Sequence, residues 1–132
     1  MGKKELRIML IDDDEDDNFF HQRVIAKVGL ADQVIVQESA LEALEYLRQL
    51  AEAQSRHPDI IFLDINMPKM NGWEFIEKYN EIPKTHIEQN TSKIFMLSTS
   101  FKPENQNKKG AAAFFKKPLT QAKFLNAIEF LS

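Results

Sequence analysis

Asp12 to Asp17 is an unbroken run of acids set directly after the apolar stretch Leu6–Ile11. For Glu15, Asp16 and Asp17 an ordinary explanation suffices, because anionic side chains favour the first turn of a helix. Asp12 and Asp13 come earlier, where a strand should end. Adjacent carboxylates repel each other there unless a cation offsets their charge. A hard cation takes oxygen ligands, and Mg²⁺ commonly keeps waters while binding one or two carboxylates. Asp14 is peripheral on this reading. An EF-hand is excluded although Asp12, Asp14 and Asp16 alternate. Its sixth and twelfth places require Gly and Glu, and here hold Asp17 and Arg23.

Other polar residues also stand at the ends of apolar runs: Asp64 after Ile60–Leu63, Ser98 after Ile94–Leu97, and Lys117 just beyond Ala112–Phe115. Taken singly, these are a turn-capping acid, a turn-forming hydroxyl and a solvated ammonium. In an open parallel sheet, however, ligands bind beyond the carboxyl ends of the strands. Asp12, Asp13 and Asp64 would then meet in one cleft, and such a carboxylate cluster argues for a metal. Lys117 would pair with a carboxylate or hold a phosphoryl oxygen, with Pro118 restricting its backbone. Ser98 would donate its hydroxyl. The set suits phosphoryl transfer, where catalysis is positioning plus neutralisation of the equatorial oxygens. Asp64 would be the nucleophile, forming an aspartyl-phosphate. It needs no general base, since a carboxylate is ionised near neutral pH.

The elements that must position these residues are legible in the periodicity. Leu6–Ile11, Val34–Val36, Ile60–Leu63, Ile94–Leu97 and Ala112–Phe115 read as strands, mostly too apolar for one solvated face. Between Glu15 and Gly29 the residues Phe20, Val24, Ile25 and Val28 recur at helical spacing, with Gly29 as the stop. Ser39 and Glu42 fit a capping box ahead of the stripe Leu41, Leu44, Leu47. That helix fades through Gln54–Arg56, and Pro58 excludes its continuation. A helix is predicted over Trp73–Asn80, a weaker one over Glu104–Lys109, and a last one capped by Thr120 with Phe124, Leu125, Ile128 and Leu131 on one face. The polar stretch 81–92 is longer than most connections. Five strand–helix alternations predict a parallel sheet with right-handed crossovers and helices on both faces. The end of the second strand, Gln37–Glu38, is expected to lie away from the site.

At 132 residues with 43% apolar and 28% charged residues, the chain suits one globular domain. A net charge of −3 offers no general attraction to nucleic acid or anionic membrane. The absence of Cys excludes disulfides, thiolate metal sites and Cys nucleophiles. The apolar stretch near the N-terminus is too short for a signal peptide or a membrane span. A cytoplasmic protein is expected.

The combination Leu10–Glu15, Asp64-Ile65-Asn66-Met67-Pro68 with Gly72, Ser98 and Lys117-Pro118 resembles the response regulator receiver family of two-component systems. The resemblance spans the chain in order and spacing. It implies an α/β, flavodoxin-like, doubly wound parallel sheet in the order 2-1-3-4-5 with five helices, one receiver domain over residues 1–132 (ordered core about 5–131) and no output domain. Asp64 matches the phosphorylated aspartate. Asp13 matches the direct Mg²⁺ ligand, Asp12 the acid acting through water, and Asn66 the residue whose backbone carbonyl binds the ion, with Mn²⁺ able to substitute. Ser98 and Phe114 match the switch pair, Lys117 matches the phosphoryl-holding lysine, and the Lys117–Pro118 bond is expected to be cis. Two departures stand out: Phe114 lacks the hydroxyl of the commoner Tyr, and Thr99 replaces a frequent small Ala.

The implied donor is a sensor histidine kinase or a histidine phosphotransfer protein. The implied output is an unknown protein target or a homodimer, through the face of the fourth helix, fifth strand and fifth helix. A rival enzyme reading, a Mg²⁺-dependent phosphatase or phosphotransferase acting through an aspartyl-phosphate in the haloacid-dehalogenase manner, needs a second Asp two residues after the nucleophile. Asn66 stands there and cannot act as general acid or base. A second rival is a pseudo-receiver that binds partners without phosphorylation.

Overall fold

The computed structural model describes residues 6–82, 92–99 and 110–131. Strand β1 (Leu6–Ile11) leads to α1 (Glu15–Val28), β2 (Ala31–Gln37), α2 (Ala40–Glu52), β3 (Ile60–Asp64) and α3 (Gly72–Glu81). Strands β4 (Lys93–Ser98) and β5 (Ala113–Lys116) and helix α4 (Gln121–Glu129) follow. The sheet order is β2-β1-β3-β4-β5 with every pairing parallel. The helix expected over 104–109 and most of the 81–92 stretch lie outside the described residues. Among the described residues no helix is long and apolar enough to cross a membrane.

Strand alternation sorts the apolar runs into two cores. Met9, Ile11, Ile61, Leu63, Ile94 and Met96 face α2 and α3, meeting Leu44, Leu47, Phe75 and Tyr79. Ile8, Leu10, Ile60, Phe62, Phe95 and Leu97 face the other way, toward Ile25 of α1 and Phe124 and Ala127 of α4. Successive strand side chains point to opposite faces, so covering both faces requires the unbroken apolar runs seen in the sequence. Each fully buried large side chain contributes about 1.5–3 kcal/mol of transfer free energy. That apolar burial holds the strand ends in fixed register.

The helix ends follow local chemistry. Asp14 caps α1 through its carboxylate, and Gly29 ends it at φ 78, a left-handed conformation that glycine adopts without steric penalty. Ser39 accepts from the Glu42 N–H, and Asn71 with Glu74 forms a reciprocal capping box at α3. Thr120 accepts from the Lys123 N–H at the start of α4.

The apolar stripes differ from the expectation at three places. Phe20 is 48% exposed, Leu41 54% and Leu125 46%. The buried face of α1 instead carries Asn18, His21 and Ile25, that of α2 Ala40, Ala43, Leu44 and Leu47, and that of α4 Phe124 and Ala127. Ala40, Ala43 and Ala127 share these faces with larger apolar residues, and on α1 Asn18 and His21 are buried because they bond the Asp12 carbonyl and the Leu119 N–H.

Candidate phosphoryl-acceptor site

The strand register brings the predicted residues together. Ile11 pairs with Leu63, so Asp12 and Asp64 emerge side by side at the carboxyl ends of β1 and β3. Asp64 is in register with Leu97, which puts Ser98 one step further along β4. Ser98 pairs in turn with Lys116, and the Lys117 N–H donates to the Ser98 carbonyl at 2.8 Å. The chain then turns through a cis Lys117–Pro118 bond, as the resemblance implies.

Carboxylate oxygens of Asp12, Asp13 and Asp64 lie within 4.8 Å of one another. Asp12 and Asp64 are buried and Asp13 is exposed. Lys117 Nζ donates to Asp12 Oδ2 at 2.7 Å and to Asp17 Oδ2 at 2.8 Å. It stands 3.7 Å from Asp64 Oδ1, an ion pair beyond hydrogen-bonding reach. One ammonium therefore faces four carboxylates, counting Asp17. The all-oxygen donor set and the uncompensated negative charge both fit a hard divalent cation.

Backbone and side-chain hydrogen bonds fix the acids. Asp12 Oδ1 accepts from the Asp14 N–H at 3.0 Å, and the Asp12 N–H reaches the Gln37 carbonyl at 3.1 Å. Asn18 Nδ2 donates to the Asp12 carbonyl at 2.8 Å. Asp64 Oδ1 accepts from the Asn66 N–H at 3.3 Å. Burial, then repulsion from Asp12, pushes the Asp64 carboxyl up to about 6, while Lys117 and the Asn66 N–H oppose that rise and Asp13 adds to it. At neutral pH the carboxylate form still dominates. Burial alone would lower the Lys117 ammonium, but its hydrogen bonds to Asp12 and Asp17 outweigh this and hold it above the ordinary lysine range.

Gly72 explains how α3 can start against this site. A side-chain carbon there would lie 2.7 Å from Met96 Cε, 3.1 Å from Ile65 Cα and 3.2 Å from the Asp64 carbonyl oxygen. Only glycine permits that approach, and its N–H closes onto the Ile65 carbonyl at 2.9 Å.

Phe114 sits on β5 opposite Met96, partly exposed, with its ring centroid 5.5 Å from that of Trp73. Thr99 is exposed beyond β4. Asn66 is exposed two residues after Asp64. Glu38 stands outside the carboxylate group, yet with Asp13, Met67 and Lys69 it lines a cleft of about 250 Å³ beside it.

The sequence reading missed Asp17, Asn18 and His21 as parts of the site. Asp17 had a sufficient local explanation in the helix dipole. The signal that could have found them is the spacing of Asp14, Asp17, Asn18 and His21, a polar stripe on the face of α1 that should meet the sheet. His21 Nε2 accepts from the Leu119 N–H at 3.2 Å. The same face of α1 thus holds the connection between β5 and α4 at two points, Lys117 and Leu119.

The family model described as the response regulator receiver domain matches residues 8–129. The chain is 30% identical over 77 residues to the response regulator Rcp1 of Synechocystis, a match covering 58% of this chain and 52% of that protein. It is 28% identical to the chemotaxis protein CheY of Treponema pallidum over 116 residues, 86% of this chain and 76% of that one. A two-component response regulator from Cytophaga hutchinsonii superposes with a TM-score of 0.84 at 30% identity, covering 97% of this chain and 98% of its own.

Proposed function

We propose, since this chain belongs to the response regulator receiver domain family, that it is a phospho-acceptor signalling switch which takes a phosphoryl group onto Asp64. The observation that carries the reading is the gathering of Asp12, Asp13 and Asp64 within 4.8 Å, with the Lys117 ammonium 2.7 Å from Asp12 and 3.7 Å from Asp64. Receiver domains are signalling modules. The chemistry proposed here is self-catalysed transfer onto the domain and slow loss of the group to water.

The residues that would hold Mg²⁺ are Asp13 and Asp64 directly, the Asn66 backbone carbonyl, and Asp12 through water, with Mn²⁺ able to substitute. When bound, the ion neutralises developing charge on the phosphoryl oxygens. Asp64 attacks phosphorus as an ionised carboxylate, held by the Asn66 N–H. Lys117 supplies a charge-assisted donor to a phosphoryl oxygen, and Ser98 donates its hydroxyl to another. The donor we propose is a sensor histidine kinase or a histidine phosphotransfer protein, in the cytoplasm.

Phosphorylation adds about −1.5 to −2 units of charge. Ser98 moves toward the new oxygens, and Phe114 repacks against its Trp73 neighbour, reshaping the surface around β5 and α4. That surface contacts a downstream protein or a second copy of the chain. This is a population shift between two packings. The test is phosphoryl uptake from a small donor such as acetyl phosphate in the presence of Mg²⁺, followed by intact mass. Wild type should gain one phosphoryl group and Asp64→Asn none. Equal labelling of the two proteins defeats the assignment. Amide spectra with beryllium fluoride and Mg²⁺ should shift at Phe114 as well as in the acid pocket.

A further inference from the structure

We infer that Asp17 is a positioning residue for the reaction proposed at Asp64, acting through Lys117 as a restraint that slows phosphoryl uptake. The inference rests on the phospho-acceptor reading and names a control on that same site.

Asp17 lies in the first turn of α1, its N–H on Asp14 Oδ1 at 3.2 Å. Asp16 beside it makes the same backbone contact at 2.9 Å and is exposed. The difference is the Asp17 side chain, whose Oδ2 accepts from Lys117 Nζ at 2.8 Å. This is a held geometry. One residue on, Asn18 binds the Asp12 carbonyl, and one turn on, His21 binds the Leu119 N–H. Asn18 therefore ties the helix to the end of β1, and His21 ties it to the lysine loop beyond the Asp17–Lys117 contact.

An ammonium has three N–H donors. Lys117 commits two of them, to Asp12 and Asp17, and leaves Asp64 Oδ1 at 3.7 Å. A third N–H remains, but the two bonds hold the nitrogen at that distance, so to close on a phosphoryl oxygen at Asp64 Lys117 must shift and lengthen one of them. Asp12 is buried, with its side chain 5% exposed, and leaving it unpaired is costly. The Asp17 side chain is 37% exposed, so water can replace the ammonium there. Asp17 is the partner that Lys117 releases. It also sets a negative charge against the ammonium that would meet an anionic donor. Both effects oppose the transfer. In that transfer an Asp64 carboxylate oxygen bonds to phosphorus while the bond from phosphorus to the donor breaks. With phosphoramidate, the nitrogen is already protonated in the zwitterionic donor, takes the bonding pair and departs as ammonia.

The experiment measures the rate of phosphoryl uptake from phosphoramidate at saturating Mg²⁺, by intact mass, for wild type, Asp17→Asn, Asp17→Glu and Asp16→Asn. Asp17→Asn should be faster by about two- to fivefold, the range expected of a partly exposed ion pair. Asp17→Glu, which restores the carboxylate, should return to near the wild-type rate, and Asp16→Asn should match wild type. Asp17→Ser, read in the same way, guards against a folding defect in the first variant. Rates for Asp17→Asn and Asp17→Ser at or below wild type overturn the inference. So does an Asp16→Asn rate that rises equally, since general charge would then account for the gain. If wild type takes up no phosphoryl group at all, the acceptor reading falls and the inference falls with it.

Discussion

Lys117 Nζ approaches Asp64 Oδ1 to 3.7 Å without forming a hydrogen bond to it. The ammonium is near enough to stabilise charge on Asp64 but is bonded elsewhere, to Asp12 and Asp17. A site of this kind is poised. Its positive charge is already in place, and under the proposed acceptor role its closest contact to Asp64 would form only once Asp64 carries the phosphoryl group.

Removing that ammonium should destabilise the fold and sensitise it to metal. Lys117→Gln leaves buried Asp12 without its ion-pair partner, a loss of about 3 kcal/mol for a buried pair. A divalent cation supplies the missing charge. Mg²⁺ should therefore raise the melting temperature of Lys117→Gln more than that of wild type. Thermal melts with and without Mg²⁺ read this directly, and an equal gain in both proteins counts against a shared electrostatic centre.

Asp13 is the exposed member of the carboxylate group. Asp13→Asn should leave the fold intact yet weaken Mg²⁺ binding by about tenfold or more, equivalent to about 1.4 kcal/mol. Calorimetric titration of Mg²⁺ into the two proteins measures the difference. Unchanged affinity would remove Asp13 from the proposed ligand set.

His21 should make stability fall in acid. Burial, aided by Lys117, holds its pKa below the ordinary 6.5, although Asp17 and Asp12 pull the other way. Its Nε2 must stay unprotonated to accept the Leu119 N–H. Between its folded pKa and 6.5 the unfolded chain binds more protons, so this stabilisation is complete above 6.5 and declines as pH falls through the folded value. Asp64 acts with opposite sign. Its folded value of about 6 lies above the ordinary carboxyl value of 3.8, so its contribution favours the fold below 3.8 and is lost as pH rises through about 6. Comparing His21→Gln with wild type in a metal-free buffer cancels the Asp64 part. Denaturant midpoints should show a shallower acid decline in the variant, and parallel curves would disprove the His21 assignment.

Gly72→Ala should couple a packing change to the site. The added carbon would press on Met96, whose end can move, and on the backbone at Asp64 and Ile65, which cannot move freely. Overpacking of this kind costs about 1–3 kcal/mol. The variant should show a lower denaturant midpoint together with weaker Mg²⁺ binding, and loss of neither would mean that α3 can retreat from β3 without penalty.

The strands, their parallel arrangement and the carboxylates at their ends follow from local sequence, whereas the strand order came from the family resemblance. Runs such as Ile60–Leu63 are apolar on both faces, which only a sheet covered on two sides can satisfy, and an acid directly after such a run must sit at its carboxyl edge. That reasoning reached Asp12, Asp13, Asp64, Ser98 and Lys117. It also set the helix caps at Ser39 and Thr120, whose hydrogen bonds close within a single turn.

Tertiary packing decided what one element's periodicity cannot contain. Phe20, Leu41 and Leu125 fit a helical stripe as well as their buried neighbours do. Which of them meets the sheet depends on the rotation of each helix against strands far away in the chain. Asp17 is an unremarkable helix-start acid until a lysine 100 positions further on is brought to 2.8 Å from it. Electrostatic partnership across such a distance is a property of the assembled fold, because the residue types at either end are already accounted for by their own surroundings.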